Sequence, residues 1–382
     1  MKRMICLLLL FGFFTMWMTG TASAATFSKE TDAISVILIE ASTGKVLYEK
    51  NADEKLPPAS VTKVMTMLLT MEAIDSGKIA LTDLVSASEH AATMGGSQIY
   101  LKVGETMTVE DLLKSVVVCS ANDAAVALAE HISGSEESFV AAMNARAKEL
   151  GMVNTTFENT NGLDDTTQNH LTTARDIAIM SAELIEKHPK ILTYSSIWMD
   201  TIRAGAFGLT NTNRLIRFYH GANGLKTGST SRAKFCISAS AKRDGLQLIA
   251  VIMGSPTRDT RNQVAKDLLD FGFANYAYAT YEAGTLDPIP VEGSLTDACP
   301  LQYDAFSAVL EKGDLPGVKQ TLELPEKLTA PIALGQQVGT LTYTAADGTV
   351  LGTVPVCAAQ SVERVSFFGL FSEILRHFFC MK

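Results

Sequence analysis

Three short motifs contain the residues that could do chemistry: Ser60-Val61-Thr62-Lys63, Ser120-Ala121-Asn122 and Lys226-Thr227-Gly228. Each motif alone is often a chance match. In this order they supply a serine nucleophile, an amine base, a relay pair and a cationic strand. A serine hydroxyl is a poor nucleophile at neutral pH unless a base within hydrogen-bonding distance removes its proton. The set therefore predicts an enzyme that forms an acyl intermediate on serine.

The first motif is predicted to begin a buried helix. Pro57-Pro58 precede Ser60, and apolar residues follow over positions 61–69, so Ser60 lies at the helix amino end with Lys63 one turn along the same face. Amide hydrogens at such an end point toward developing negative charge. A lysine is normally charged at neutral pH, but burial beside a second cation such as Lys226 lowers its pKa. We therefore predict Lys63 as the general base.

The second motif is predicted to lie between two helices. Helical spacing of apolar residues runs through positions 109–117 and resumes at 124–132, with Thr108 and Asp111 forming a capping box. Simple helix capping explains Ser120 and Asn122 when the motif is taken alone. In the functional interpretation, Ser120 relays a proton between Lys63 and the leaving group, and the Asn122 amide holds the substrate backbone.

The third motif is predicted to lie on an edge strand. Positions 235–241 and 246–253 read as two strands joined by a turn at 242–245, and the motif precedes them. An extended peptide can pair with an edge strand through main-chain hydrogen bonds. Lys226 and Thr227 offer a charge and a hydroxyl to a carboxylate, and Gly228 leaves room for a close ligand backbone.

Together the motifs resemble those of serine-type D-alanyl-D-alanine carboxypeptidases, which are low-molecular-weight penicillin-binding proteins. The resemblance runs from about residue 33 to residue 273 and includes Met94-Gly95-Gly96-Ser97, Leu101-Lys102-Val103-Gly104-Glu105, Asn161-Gly162-Leu163 and Thr172-Thr173-Ala174-Arg175-Asp176. The family often has His at the position of Asn161, so we read that segment as structural.

The resemblance implies a reaction and a set of roles. Ser60 is acylated by the penultimate D-alanine of a peptidoglycan stem peptide ending in D-Ala-D-Ala, the terminal D-alanine leaves, and water releases the product. The backbone amides of Ser60 and Ser229 are expected to hold the oxyanion. Arg261 matches the position that reaches the terminal carboxylate, although Arg258 lies one turn away and could do the same. β-Lactams are expected as covalent inhibitors.

The pattern of elements predicts an α/β (α+β) fold. Positions 33–39 and 45–50 read as a hairpin that joins the later hairpin in one antiparallel sheet. Helices predicted over most of positions 61–188 and at 263–273 flank this sheet and form a helical lobe, a penicillin-binding/β-lactamase-like arrangement. After about residue 282, short β-like runs predict a small all-β domain, a plausible spacer. A C-terminal amphipathic helix follows.

The two ends of the chain predict export and membrane association. Lys2-Arg3, the apolar run at 5–18 and Ala22-Ser23-Ala24 are typical of a secretory signal cleaved after Ala24. The C-terminal helix has one apolar half and is too short and polar to span a bilayer, so it either packs on its own protein or lies in the membrane interface. The apolar half is Phe367, Phe368, Leu370, Phe371, Ile374, Leu375, Phe378 and Phe379. We favour the membrane interface for this helix. The protein is then predicted to be a peripheral protein on the outer face of the cytoplasmic membrane.

The predicted organisation is therefore a signal peptide at 1–24, a catalytic domain at 25–280, a β-rich domain at 281–360 and a membrane-associating helix at 361–382. The formal net charge of −9 and the lack of a basic stripe argue against nucleic-acid binding. Of the 6 cysteines, Cys6 leaves with the signal, and the odd remainder means at least one free or intermolecular thiol. No zinc-ligand spacing occurs, and the mechanism requires no metal or cofactor.

Two other functions share some of these features. A β-lactamase needs a deacylating base, and no E-x-x-L-N motif lies between Asn122 and Lys226. A catalytically silent peptidoglycan-binding or sensor protein would not need Ser60, Lys63 and Ser120 all intact. Endopeptidase or transpeptidase activity on crosslinked peptidoglycan is a closer variant that the sequence leaves open.

Overall fold

The computed structural model describes residues 26–380, apart from the side chains of Glu373, His377 and Cys380, so the predicted signal sequence lies outside the described residues. The strands are β1 Ser35–Glu40, β2 Val46–Lys50, β3 Leu84–Ser86, β4 Thr106–Thr108, β5 Met199–Ile202, β6 Phe207–Thr210, β7 Ala222–Thr230, β8 Lys234–Arg243, β9 Leu246–Ser255, β10 Tyr276–Tyr281, β11 Gly284–Glu292, β12 Ala298–Tyr303, β13 Phe306–Glu311, β14 Lys319–Glu323, β15 Leu328–Thr329, β16 Gln337–Thr344 and β17 Val350–Ala358. The α-helices are α1 Lys63–Asp75, α2 Glu89–Ala92, α3 Val109–Val118, α4 Asn122–Ser133, α5 Glu136–Glu149, α6 Ala174–Lys187, α7 Ile191–Ser195, α8 Leu215–Phe218, α9 Arg258–Asn275 and α10 Phe367–Cys380. Single 3₁₀ turns occupy Ala59–Thr62 and Leu315–Gly317.

The central sheet has the order β2-β1-β9-β8-β7, with all neighbours antiparallel. Alternate residues of its strands enter two different cores, because helices cover both faces. Ile37 and Ile39 pack into the core shared with α1, α3, α4 and α6. Val36 and Leu38 face the opposite core, which α9 completes. Burial on both faces explains why β9 reads as a continuous apolar run, and the predicted sheet flanked by helices is confirmed.

Local signals place the ends of the elements that hold the site. Thr108 Oγ1 accepts a hydrogen bond from the Asp111 amide at 3.1 Å, which confirms the predicted start of α3. The β8–β9 turn has positive φ at Asp244 and Gly245, 47° and 82°, as a two-residue hairpin turn requires. β7 is the last strand of its sheet, so the third motif lies on an edge strand as predicted.

The C-terminal part is built from a second, six-stranded sheet with the order β14-β16-β17-β12-β11-β15. Its buried residues form their own apolar core around Leu301, Tyr343 and Val356. The predicted β-rich texture after residue 282 is thus confirmed, although β12 and β13 were not predicted. α10 follows this sheet and leaves its phenylalanines exposed, with Phe378 81% and Phe379 82% accessible. No helix within residues 26–380 is long and apolar enough to cross a membrane.

Candidate active site

Ser60 lies in the 3₁₀ turn immediately before α1, instead of in the first turn of an α-helix. Ala59 has a positive φ of 49° after Pro58, and the amide of Lys63 donates to the carbonyls of both Ser60 and Val61. In a 3₁₀ helix, residues three apart lie directly above one another. The predicted proximity of Ser60 and Lys63 is therefore tighter than in an α-helix.

A buried histidine, His170, is hydrogen-bonded to the 3₁₀ turn that carries Ser60. His170 Nδ1 accepts the amide hydrogen of Glu158 at 3.0 Å, so Nε2 carries the ring proton. Nε2 lies 2.8 Å from Thr62 Oγ1, which in turn donates to the Ala59 carbonyl at 2.9 Å. Burial lowers the pKa of His170 to about 4, so the ring is neutral at physiological pH. The sequence motifs gave no role to His170.

Lys63 is fully buried, and its Nζ has three close oxygen atoms. Nζ lies 3.0 Å from Ser60 Oγ, 2.6 Å from Asn122 Oδ1 and 2.8 Å from the Asn161 carbonyl oxygen. A neutral amine has two hydrogens and one lone pair. Asn122 and Asn161 accept the two hydrogens, and the lone pair is left to accept the hydroxyl hydrogen of Ser60.

The charge on Lys63 is disfavoured by its surroundings. Burial lowers the pKa of Lys63 well below its ordinary value, and the positive charge of Lys226 lowers it further. The sequence analysis predicted a lowered pKa for Lys63 from the same two causes, burial and a second cation. Lys226 is itself buried, and burial lowers its pKa to about 7. Its Nζ donates to the Thr227 carbonyl at 2.9 Å.

The second motif contributes one engaged amide and one free hydroxyl. Asn122 accepts from Lys63 through Oδ1 and donates through Nδ2 to the Gly95 carbonyl at 2.7 Å. These bonds let Asn122 position Lys63, and the second hydrogen of Nδ2 is left for the predicted contact with the substrate backbone. Ser120 lies at the α3–α4 junction with a positive φ of 66°. Its Oγ is buried and has no hydrogen-bond partner among the described residues.

The third motif packs directly against the nucleophile turn. A Cβ on Gly228 would lie 2.8 Å from the Pro58 carbonyl oxygen, 2.8 Å from the Ser60 nitrogen and 2.9 Å from the Val61 nitrogen. Glycine is required here because the protein's own backbone approaches closely, in addition to the predicted approach of a ligand. Thr227 Oγ1 lies 2.7 Å from Thr212 Oγ1.

These elements enclose one cleft of about 470 Å³. Its lining is Ser60, Ser97, Ser120, Trp198, Thr210, Asn211, Thr212, Arg214, Thr227, Gly228, Ser229, Arg258 and Arg261. Arg261 is only 3% exposed, and burial lowers its pKa to about 10. Its guanidinium donates to the Cys236 carbonyl and to Asn262 Oδ1, and no carboxylate within residues 26–380 forms an ion pair with it.

The cleft thus brings the hydroxyls of Ser60 and Ser120 together with Thr227, Ser229 and Arg261, while Lys63, Asn122 and Lys226 lie buried beside it. The sequence analysis missed the contact of the Asn161 carbonyl with Lys63, because every residue has a backbone carbonyl and residue type does not show which one is used. It also missed Arg214, which is far from the three motifs along the chain. The only signal for this region was the polar Asn211-Thr212-Asn213 stretch ahead of β7.

Four cysteines of the described residues form no disulfide bond. Cys119, Cys236, Cys299 and Cys357 are free thiols within the described residues. Burial raises the pKa of both Cys119 and Cys236 to about 11, which disfavours a reactive thiolate. Residues 26–380 contain no group of His, Cys, Asp and Glu side chains that could hold a metal ion.

Comparison with known proteins gives one consistent result. Residues 19–257 match a family described as D-alanyl-D-alanine carboxypeptidase, and residues 302–364 match the C-terminal domain of penicillin-binding protein 5. The chain is 44% identical over 379 residues to D-alanyl-D-alanine carboxypeptidase DacF of Bacillus subtilis (strain 168), covering 96% of each protein. It is 36% identical to DacC of Escherichia coli (strain K12), covering 88% of this chain and 86% of the relative. The crystal structure of penicillin-binding protein 5 from Haemophilus influenzae is similar with a TM-score of 0.74 and 33% identity, covering 89% of this chain and 100% of that one.

Proposed function

The chain belongs to the D-alanyl-D-alanine carboxypeptidase family, and we propose that Ser60, Lys63 and Ser120 carry out its reaction. The enzyme is a serine-type peptidase that removes the terminal D-alanine from peptidoglycan stem peptides and binds β-lactams. The observation that carries the residue assignment is the 3.0 Å separation between Lys63 Nζ and Ser60 Oγ. The other two oxygen contacts of Nζ leave only its lone pair for the serine.

In the proposed acylation step, Lys63 accepts the hydroxyl proton as Ser60 Oγ bonds to the carbonyl carbon of the penultimate D-alanine. The oxyanion is held by the backbone amides of Ser60 and Ser229, which lie on the two backbones that Gly228 brings together. The C–N bond to the terminal D-alanine then breaks. Ser120, whose hydroxyl is unpartnered, passes the proton from Lys63 to the leaving nitrogen.

Deacylation uses the same base in the proposed mechanism. Lys63, neutral again, removes a proton from water as the water oxygen attacks the ester carbon, and the proton returns to Ser60 Oγ when the C–O bond breaks. Arg261, with the hydroxyls of Thr227 and Ser229, binds the terminal carboxylate of the incoming substrate, because its buried guanidinium forms no ion pair with a carboxylate of residues 26–380. Burial is the main cause that lowers the pKa of Lys63, and Lys226 lowers it further when Lys226 is itself charged.

The nucleophile assignment is tested with a pentapeptide that ends in D-Ala-D-Ala. Wild-type enzyme releases one alanine, which mass spectrometry detects, and becomes covalently labelled by a fluorescent penicillin. Ser60→Ala loses both activities, whereas Ser196→Ala, an exposed serine outside the cleft, keeps both. Full stoichiometric labelling of the Ser60→Ala protein would reject the assignment. Slow release of the bound penicillin separates this enzyme from a β-lactamase, which would turn it over rapidly.

We further propose that α10 binds the surface of the cytoplasmic membrane from outside the cell. Phe367, Phe368, Phe378 and Phe379 are each 78–82% exposed, so within the described residues no part of the protein covers them. Aromatic and aliphatic side chains on one helix face insert at the boundary between lipid headgroups and acyl chains. In this arrangement residues 25–280 form the catalytic domain, residues 281–360 form a spacer that holds it above the membrane, and residues 361–382 form the anchor.

Vesicle sedimentation tests the anchor. The protein beginning at residue 25 is mixed with vesicles that contain anionic lipid, and the double variant Phe378→Ser/Phe379→Ser is compared with Leu334→Ser. Leu334 is 66% exposed but lies outside α10, so it controls for the loss of exposed apolar surface elsewhere. We expect the double variant to bind several-fold more weakly and the control to bind normally. Equal binding of all three proteins would refute the proposal.

A further inference from the structure

Three arginines line the active-site cleft, and no carboxylate does. Arg214, Arg258 and Arg261 all contribute to its wall, together with Thr227 and Ser229, while the lining contains no Asp or Glu. The chain as a whole carries a formal charge of −9. A cleft lined by one sign of charge concentrates ligands of the opposite sign. The positive lining is therefore a local feature that opposes the charge of the whole protein.

These guanidiniums differ from three arginines that are paired with carboxylates elsewhere in the described residues. Arg146, Arg175 and Arg203 each hold a carboxylate oxygen within 2.7 to 2.8 Å. Neither Arg214 nor Arg258 forms an ion pair within residues 26–380; the Arg214 guanidinium lies 5.8 Å from the centre of the Phe218 ring.

The charge of Arg258 acts on Arg261. After burial, the positive charge of Arg258 is among the causes that lower the pKa of Arg261. Asp259 opposes this effect, and it lines a neighbouring groove to which Arg214, Asn262 and Lys266 also contribute. An anion bound between Arg214 and Arg258 would relieve the repulsion in the cleft.

The established leaving group leaves these two arginines without a partner. D-Alanine carries one carboxylate, which Arg261, Thr227 and Ser229 are proposed to bind, and its methyl side chain has no charge. Arg258 is on the same helix one turn before Arg261, and both line the cleft, so the proposed role of Arg261 places Arg258 near the leaving group. Arg214 is two residues after Thr212, which is hydrogen-bonded to Thr227. The cleft volume of about 470 Å³ leaves room beyond an alanine side chain.

We propose that the leaving-group side of the cleft accepts a residue with a second carboxylate, bound by Arg214 and Arg258, so that the enzyme also removes a terminal D-glutamate. The inference rests on the proposed function of Ser60. The chemistry is unchanged: Ser60 Oγ bonds to the D-alanine carbonyl carbon, the C–N bond to D-glutamate breaks, and its nitrogen receives a proton. Water then hydrolyses the acyl-enzyme ester.

Three peptides that differ only in the last residue test the inference: one ends in D-Ala-D-Ala, one in D-Ala-D-Glu and one in D-Ala-D-Gln. D-Glutamine has the shape of D-glutamate without the charge, so the Glu-to-Gln ratio of kcat/KM isolates the second carboxylate. Exposed ion pairs each contribute a few-fold, so two arginines predict a ratio of about three to ten at low salt. The ratio should fall toward one at high ionic strength.

Variants assign the effect to the two arginines. Arg214→Gln and Arg258→Gln should each lower the Glu-to-Gln ratio about two- to threefold. Arg217→Gln is the matched control, because Arg217 is exposed near Arg214 in the chain but does not line the cleft. If D-Ala-D-Ala is cleaved normally, the inference would be overturned by a wild-type Glu-to-Gln ratio of one or less. A Glu-to-Gln ratio that neither Arg214→Gln nor Arg258→Gln changes would overturn it as well. Failure to cleave D-Ala-D-Ala would instead refute the proposed function of Ser60.

Discussion

Substituting Gly228 by alanine tests whether the contact between β7 and the nucleophile turn sets the catalytic geometry. The new Cβ would lie 2.8 Å from the Pro58 oxygen and the Ser60 nitrogen, and must move about 0.6 Å to reach the 3.4 Å of ordinary contact. All the atoms it meets are backbone atoms, so the strand and the turn must separate. Because Ser60 and Ser229 supply the proposed oxyanion amides from these two backbones, one hydrogen bond lengthens from about 2.9 Å to about 3.5 Å, beyond the usual range.

The expected cost follows from that lost hydrogen bond. Removing one oxyanion donor lowers the rate about 10²- to 10³-fold, so Gly228→Ala should slow acylation by a fluorescent penicillin about 100-fold. Crowding in the core should also lower the free energy of unfolding by about 1–3 kcal/mol. Gly208→Ala is the control, since a Cβ there meets nothing within 4 Å. If folded Gly228→Ala protein acylated within threefold of the wild-type rate, the reasoning would be refuted.

Three further predictions concern the groups behind the site. Lys226→Met removes a positive charge that lowers the pKa of Lys63, so the acidic limb of the acylation pH profile should move to higher pH; no shift, or a shift downward, would contradict this. Gly162→Ala should lower the free energy of unfolding by about 3 kcal/mol or more in denaturant titrations, and the control Gly205→Ala by about 1–2 kcal/mol. Both glycines have φ near 90°, but only at Gly162 would a Cβ lie 1.8 Å from a backbone oxygen. Equal losses of stability would exclude the steric cause. The pKa of His170 is lowered from 6.5 to about 4, so as the pH drops the unfolded chain binds a proton first, and stability falls between pH 6.5 and pH 4. His170→Gln should remove up to about 3 kcal/mol of this loss of stability. An unchanged pH dependence of the free energy of unfolding would contradict this prediction.

The sequence predicted the elements that carry the site because their signals are local. Prolines before Ser60, a capping Thr108, and alternating or continuous apolar runs around the Asp244-Gly245 turn each specify structure within a few residues. The second motif was therefore placed on the correct helix junction and the third on the correct edge strand, whereas Ser60 was predicted at the amino end of an α-helix. The one local difference, a 3₁₀ turn at Ser60, arises from the positive φ of Ala59, which residue type does not reveal.

The interactions that the sequence did not reveal connect segments far apart in the chain. The Asn161 carbonyl is separated from Lys63 by 98 positions, and His170 from Thr62 by 108. Gly228 was expected to make room for a ligand, and its contact with the nucleophile turn became visible only once β7 was packed against that turn. Tertiary packing decides such contacts, and a single sequence carries no distance information for them.

The central claim is that Lys63 is an uncharged amine at the pH where the enzyme works. Nuclear magnetic resonance of protein labelled with ¹³Cε and ¹⁵Nζ lysine measures this directly, with the Lys63 signals assigned by their loss in Lys63→Met. The account predicts that Lys63 loses its proton well below its ordinary pKa of 10.5. A Lys63 amine that stays charged at pH 8 and loses its proton only near 10.5 would contradict the account.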